Sequence, residues 1–178
     1  MRLFVAIPMP PDVEQVLVTS VQQLRRYGGE LRWQPPESWH VTLQFLGSST
    51  EAQYRCLIEH VSGIHLPPVP ITIERLGSFE RAGALYAEVQ RTPELVELQR
   101  AVFAATVPCG FEAEPRPYTP HITLARRRGR SNRPRLEPIY ANRQLKPQTF
   151  TATEFLLYES FLGPGGSRYE VRSCFPLK

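Results

Sequence analysis

A chain of 178 residues with 42% hydrophobic and 21% charged residues is long enough to bury a core without staples, and its composition is that of a soluble folded protein. No apolar run approaches membrane-spanning length, and the net charge of +4 favours an anionic partner without identifying one. Cys56, Cys109 and Cys174 are far apart and lack C-x-x-C spacing, so neither a disulfide framework nor a zinc site is suggested, and they read as buried or incidental thiols.

Leu3 to Ile7 reads as a first strand. Pro8, Pro10, Pro11 and Asp12 cut the apolar run too early for a signal peptide, so a cytoplasmic protein is expected. Pro10-Pro11-Asp12 then opens a helix with Val13, Val16, Leu17, Val21 and Leu24 at helical spacing, closed by Gly28-Gly29. A short extended piece, Leu31 to Gln34, precedes a strand from Trp39 to Leu46. Ser48-Ser49-Thr50 caps a second helix, Glu51 to Ile64, with Tyr54, Leu57, Ile58 and Val61 on one side. Val69 to Leu76 and Ala84 to Gln90 read as a strand pair. A third helix starts at Thr92-Pro93-Glu94 with Leu95, Leu98, Val102 and Phe103 as its stripe, and ends at Pro108 and Gly110. A strand from His121, a short helix over Glu137 to Asn142, and strands Thr149 to Tyr158 and Tyr169 to Phe175 around the turn Gly163 to Gly166 complete the chain. Neither half carries a glycine fingerprint of a dinucleotide or P-loop fold.

Two of these strands open on one pattern, His-hydrophobic-Thr-hydrophobic: His40-Val41-Thr42-Leu43 and His121-Ile122-Thr123-Leu124. With four histidines and 11 threonines in the chain, a Thr follows two places after a given His roughly one time in sixteen by chance. In an extended strand, residues i and i+2 share a face, so each motif presents an imidazole beside a hydroxyl and buries the two apolar residues. Two imidazoles that titrate near neutrality can act as acid and base in one displacement, while two hydroxyls donate to the non-bridging oxygens of an oxyanion such as a phosphodiester. That chemistry calls for no metal and no cofactor. The motifs lie 81 positions apart, which fits a duplication with two similar lobes. The competing readings are a core strand whose histidine is satisfied internally, and a two-histidine metal site lacking a third ligand.

Arg126 follows the second motif and is the best candidate for a phosphate contact, although strict alternation puts it on the face opposite His121 and Thr123 unless a strand end or bulge turns it inward. Arg127, Arg128, Arg130, Arg133 and Arg135 read as a solvated loop, with attraction of an RNA backbone as the functional alternative. Trp33, Trp39, Tyr118 and Phe79 lie near motif edges and could stack on a base, with ordinary packing the stronger reading for each. His60 and His65 lack the motif context and read as helix-surface or loop residues.

The whole chain resembles the two-histidine (2H) phosphoesterases and, within them, the RNA 2′,3′-cyclic phosphodiesterases, also called 2′-5′ RNA ligase-like proteins. The resemblance is carried by Arg2-Leu3-Phe4-Val5-Ala6-Ile7, by Trp39 to Gly47 with the first motif, by Leu76-Gly77-Ser78-Phe79, by Arg116 to Arg126 with the second, and by Leu157-Tyr158-Glu159-Ser160. It implies a bilobal α+β fold over residues 1–178, read as one domain, with two antiparallel sheets flanking a cleft in a pseudo-two-fold arrangement. It further implies metal-independent hydrolysis of an RNA terminal 2′,3′-cyclic phosphate to a 2′-phosphate, with ligation to a 2′-5′ linkage as the secondary, reverse reaction. His40 would donate the proton, His121 accept it, and Thr42, Thr123 and Arg126 hold the phosphate. RNA with a cyclic-phosphate terminus is the expected partner, and a monomer is expected. Rival readings are an RNA-binding module with little catalysis, and an enzyme for small cyclic nucleotides or 2′-5′ oligoadenylates.

Overall fold

A computed structural model describes residues 1–29, 31–112, 115–128, 135–164 and 166–178. Within them, strands β1 (Arg2–Pro8), β3 (His40–Ser48), β8 (Glu154–Gly163) and β9 (Gly166–Pro176) form one sheet in the order β3-β1-β8-β9. The other sheet runs β2 (Leu31–Trp33), β6 (His121–Arg127), β5 (Ala84–Val89), β4 (Val69–Phe79) and β7 (Gln148–Ala152). All the described pairings are antiparallel. The fold is the expected bilobal α+β arrangement with one motif strand in each sheet. Its lobes are not chain halves, however. The first sheet joins strands from both ends of the sequence, and β2 crosses to the second.

The helices begin where local chemistry provides for their free N–H groups. Helix α1 (Pro11–Arg25) has Pro11 at its start and Asp12 and Glu14 in its first turn, and buries Val13, Leu17, Val21 and Leu24. Helix α2 (Glu51–Val61) has a capping box: Thr50 accepts from the Gln53 backbone while the Gln53 side chain accepts from the Thr50 backbone N–H. Helix α3 (Pro93–Thr106) is capped by Thr92, which accepts from Leu95 N at 3.2 Å, and its buried stripe ends in Thr106 rather than in half-buried Phe103. Helix α4 (Glu137–Tyr140) is shorter than its expected span. The expected strand Thr149 to Tyr158 is two strands, β7 and β8, in different sheets, because the chain leaves one ladder at Ala152 and enters the other at Glu154.

One continuous core backs both motif strands: Val5, Ile7, Val41 and Leu43 from the first sheet meet Ile71, Ile73, Ile122 and Leu124 from the second, with Leu17, Leu57, Leu95 and Leu98 from the helices. The motif strands are thereby held by burial on their apolar sides, worth roughly 1.5–3 kcal/mol for each such side chain. The cysteines correct the sequence reading. Cys56 on α2 and Cys109, in the 3₁₀ turn after α3, form a disulfide with Cα atoms 5.6 Å apart; Cys174 is free and exposed. A separation of 53 residues carries no spacing signal, and only the packing of α2 against α3 brings the pair together. No helix among the described residues is long and apolar enough to cross a membrane.

Candidate active site

Each motif histidine is fixed by the same short-range bond. His40 Nδ1 lies 2.7 Å from the carbonyl of Ser38, and His121 Nδ1 lies 2.8 Å from the carbonyl of Thr119, in both cases two residues upstream. A carbonyl oxygen can only accept, so Nδ1 carries the proton in both rings and Nε2 is the free lone pair. The 3₁₀ turn Pro36–Ser38 aims the first carbonyl, and the Pro117 to Pro120 approach aims the second. Both imidazoles are half-buried, as are Thr42 and Thr123, whose hydroxyls take no hydrogen-bond partner among the described residues.

Aromatic rings wall the two histidines. Phe4 stands 4.8 Å from the His40 ring, Tyr169 meets it edge-on at 5.3 Å, and Tyr158, stacked on Phe4, stands 6.0 Å from it. Phe79 lies edge-on to His121 at 4.9 Å, and Tyr86 stands at 5.3 Å. Tyr86 can occupy that place because its strand neighbour is Gly77: a Cβ there would come within 2.7 Å of the Tyr86 ring. Burial lowers His40 from 6.5 to about 4, overcoming the opposing bond to Ser38, and the charges of His121 and Arg126 push the same way. His121 is also lowered, again chiefly by burial, with Arg126 contributing. The positive charge of Arg126 is therefore felt by both rings.

A β-bulge removes the parity objection to Arg126. Leu124 and Ala125 are both buried, and the pairing to β5 slips there: Tyr86 faces Thr123 while Leu85 faces Ala125. Beyond the slip, Arg126 is exposed on the cleft side and Arg127 points the other way. The first motif has the same device at the same offset. Leu43 and Gln44 are both buried, Ala6 pairs with Thr42 and Val5 with Gln44, and Phe45 emerges 68% exposed where the second motif has Arg126.

Arg126 shares a pocket with Arg2, Arg32, Gln34, Phe45 and Tyr169, which no carboxylate among the described residues lines. Arg32 sits directly opposite Arg126 in the β2–β6 ladder. Facing like charges destabilise a sheet pair, so the arrangement favours an anion between them. Arg127 is not the solvated residue expected: it pairs with the carboxylate of Glu80 and donates to the Glu80 carbonyl at 2.6 Å. Glu80 also accepts from Leu136 N at 2.8 Å, so one carboxylate holds both flanks of the basic stretch. Burial opposes its charge, and these donors hold it below the usual carboxylate range nonetheless. Arg128 and Arg135 are exposed at the two ends of that stretch, and Arg130 and Arg133 lie outside the described residues.

Of the aromatic candidates, Trp39 is buried in the core and Trp33 donates to the Gly28 carbonyl at 3.1 Å, so both pack. Phe79 walls His121. Tyr118 does something the sequence did not suggest: its hydroxyl donates to the Thr42 carbonyl at 3.0 Å, tying the approach to the second motif onto the backbone of the first. Sequence reasoning also missed Phe4, Tyr86, Tyr158 and Tyr169 around the imidazoles, and Arg2 and Arg32 beside Arg126. Phe4 and Arg2 carry a usable signal, since alternation along Arg2 to Ile7 sets both on the face opposite Leu3, Val5 and Ile7.

The profile of the 2′-5′ RNA ligase superfamily matches residues 10–161 of this chain. The chain belongs to the 2′-5′ RNA ligase superfamily. Relatives in the superfamily match end to end: the RNA 2′,3′-cyclic phosphodiesterase of Methanocaldococcus jannaschii is 27% identical over 96% of this chain and 98% of its own length. That of Thermus thermophilus is 30% identical over 100% and 91%. Among solved structures, Escherichia coli LigT complexed with 3′-AMP superposes with a TM-score of 0.78 at 24% identity, covering 99% of this chain and 97% of the other. TT0787 of Thermus thermophilus gives 0.78 at 25% identity, covering 99% and 98%.

Proposed function

We propose that this superfamily member hydrolyses the terminal 2′,3′-cyclic phosphate of RNA to a 2′-phosphate, using two imidazoles and no metal. The observation that carries the reading is the pair of Nδ1-anchored histidines, each beside a threonine hydroxyl that has no partner among the described residues, set close enough to feel one charge at Arg126. The names of the end-to-end relatives support the substrate class.

In the hydrolytic direction, His121 Nε2 takes a proton from water as the oxygen attacks phosphorus. The bond to the ribose 3′ oxygen breaks, and His40 delivers its Nε2 proton to that oxygen. The Nδ1 proton of each ring stays on the ring, donated to the upstream carbonyl throughout, so only the Nε2 proton moves. Thr42 and Thr123 donate to the two non-bridging oxygens as charge grows on them, and Arg126 adds its field. Arg2 and Arg32 would hold the phosphate of the preceding nucleotide, a contact that weakens with salt. After turnover His121 holds the proton and His40 does not. Ligation would start from the same protonation state as hydrolysis: a 5′-hydroxyl replaces water and gives its proton to His121, the 3′ oxygen takes the His40 proton, and a 2′-5′ linkage forms.

His40 near 4 is neutral in the empty site at physiological pH, so its proton must arrive with the substrate: an anionic phosphodiester beside both rings raises them toward protonation. The test is an oligonucleotide ending in 2′,3′-cyclic phosphate, incubated with protein and a chelator. A 2′-phosphate product is expected. A 3′-phosphate product would reverse the assignment of the leaving oxygen, and dependence on added metal would overturn the mechanism.

A further inference from the structure

We propose that the Cys56–Cys109 pair, once reduced, forms with His60 a site for a zinc-class divalent cation, so that one position alternates between a disulfide and a metal. It lies where α2 meets the turn after α3, and the proposal does not depend on the reading of the cleft. His60 is one helical turn after Cys56 on α2, and its Nδ1 stands 3.6 Å from Cys56 Sγ and 3.9 Å from Cys109 Sγ. The three donor atoms lie within 4.8 Å of one another. Zinc bonds of about 2.3 Å to sulfur and about 2.0–2.1 Å to nitrogen at a tetrahedral angle place S and N about 3.6 Å apart, close to what the chain already provides. The sulfurs themselves must separate to about 3.8 Å, which the disulfide forbids and reduction permits.

Access and donor type agree with this. Cys109 is buried, Cys56 half-buried and His60 exposed, so the group is closed on the protein side and open to solvent at the imidazole, where water completes four ligands. Two thiolates and an imidazole are a soft set that selects zinc or cadmium over calcium or magnesium. The steps balance. An external dithiol gives two electrons and two protons to the disulfide and is itself oxidised to a disulfide. The cation then displaces the two thiol protons to solvent. His60 Nδ1 gives up its bond to the Cys56 carbonyl, 3.0 Å away, and its proton moves to the exposed Nε2, leaving the Nδ1 lone pair for the metal. Either cross-link ties α2, which follows the first motif strand, to the turn that leaves α3 toward the second.

The test is titration of the full chain with cadmium, before and after anaerobic treatment with a phosphine reductant that is then removed. Reduced protein is expected to develop a thiolate-to-metal charge-transfer band saturating at one ion per chain, and added zinc to raise its Tm. Untreated protein is expected to show neither. His60→Ala, at an exposed position, should weaken binding at least tenfold while folding normally, and Cys174→Ser should leave it unchanged. No band in reduced protein, an equal band in untreated protein, or undiminished affinity in His60→Ala would each overturn the proposal.

Discussion

On β3 the imidazole of His40 stands among Phe4, Tyr158 and Tyr169, and the residue turned into the cleft by the bulge is Phe45. On β6 the imidazole of His121 has Phe79 and Tyr86 beside it, and the bulge delivers Arg126. The backbone device is the same in both, from the carbonyl that fixes the tautomer to the slip one residue beyond the threonine. What differs is the environment bolted onto it. The first half-site is the more apolar and drives its histidine furthest from protonation; the second places a permanent cation where the first has a ring. A symmetric backbone with asymmetric surroundings sets both rings in one tautomer and gives them unlike environments.

The largest effect should come from deleting either motif imidazole. His40→Ala and His121→Ala are each expected to lower kcat by about two to four orders of magnitude with the far-ultraviolet CD spectrum and chelator insensitivity unchanged. Near-wild-type turnover in either would mean that the half-sites do not share one reaction.

The next effect sharpens the contrast in burial. A histidine lowered from 6.5 to about 4 resists protonation in the folded state, so between those values the unfolded chain binds more protons and stability rises with pH. His40 therefore costs nothing above pH 6.5, and its cost grows as pH falls, reaching about 3 kcal/mol near pH 4. Urea unfolding of wild type and His40→Gln at pH 7 and pH 4.5 measures this: the variant should lose markedly less stability on acidification. For the same reason the alkaline limb of kcat/KM should lie below 6.5, since both free-enzyme imidazoles are lowered. A limb above 7 would show that the cleft is wetter than its geometry implies.

Exchanging the bulge residues tests the asymmetry directly. Arg126→Phe makes the half-sites alike and should raise KM about tenfold, the loss of one exposed charge-assisted phosphate contact, and flatten the salt dependence of kcat/KM. Phe45→Ala should change neither the salt slope nor kcat by more than a few-fold. If both substitutions behave alike, Arg126 is a bystander.

Much of this was legible in the sequence. The doubled motif, the strand alternation that pairs each His with its Thr, and the caps at Thr50 and Thr92 are local features, and local features survive in the one-dimensional pattern. The bulge was half-legible: Leu124-Ala125 is a pair of adjacent apolar residues that strict alternation cannot bury on one face, but Leu43-Gln44 hides the same slip behind a polar side chain. The rings around the imidazoles were not legible because they arrive from β1, β4, β5, β8 and β9, and the sequence does not say which strands become neighbours. Arg127 was misread for the same reason, since its partner Glu80 is 47 positions away. The disulfide has no local signature at all.

Tyr118 carries the smallest predicted effect and the one that bears most directly on how the half-sites are joined. It stands three residues before His121, yet its hydroxyl donates to the carbonyl of Thr42, and burial holds that hydroxyl well above the usual phenol range, so it stays a donor across the working pH. Tyr118→Phe keeps the ring in place and removes only the donation. Stability should fall by about 0.5–1.5 kcal/mol, the usual worth of one such bond. If the bond merely fills a polar vacancy, kcat will follow wild type once the protein is fully folded at low temperature. If it sets the spacing between Thr42 and Thr123, kcat should drop several-fold at unchanged KM, because in the proposed reaction both hydroxyls reach two oxygens of one phosphorus and a small change in spacing weakens the transition state more than the bound substrate.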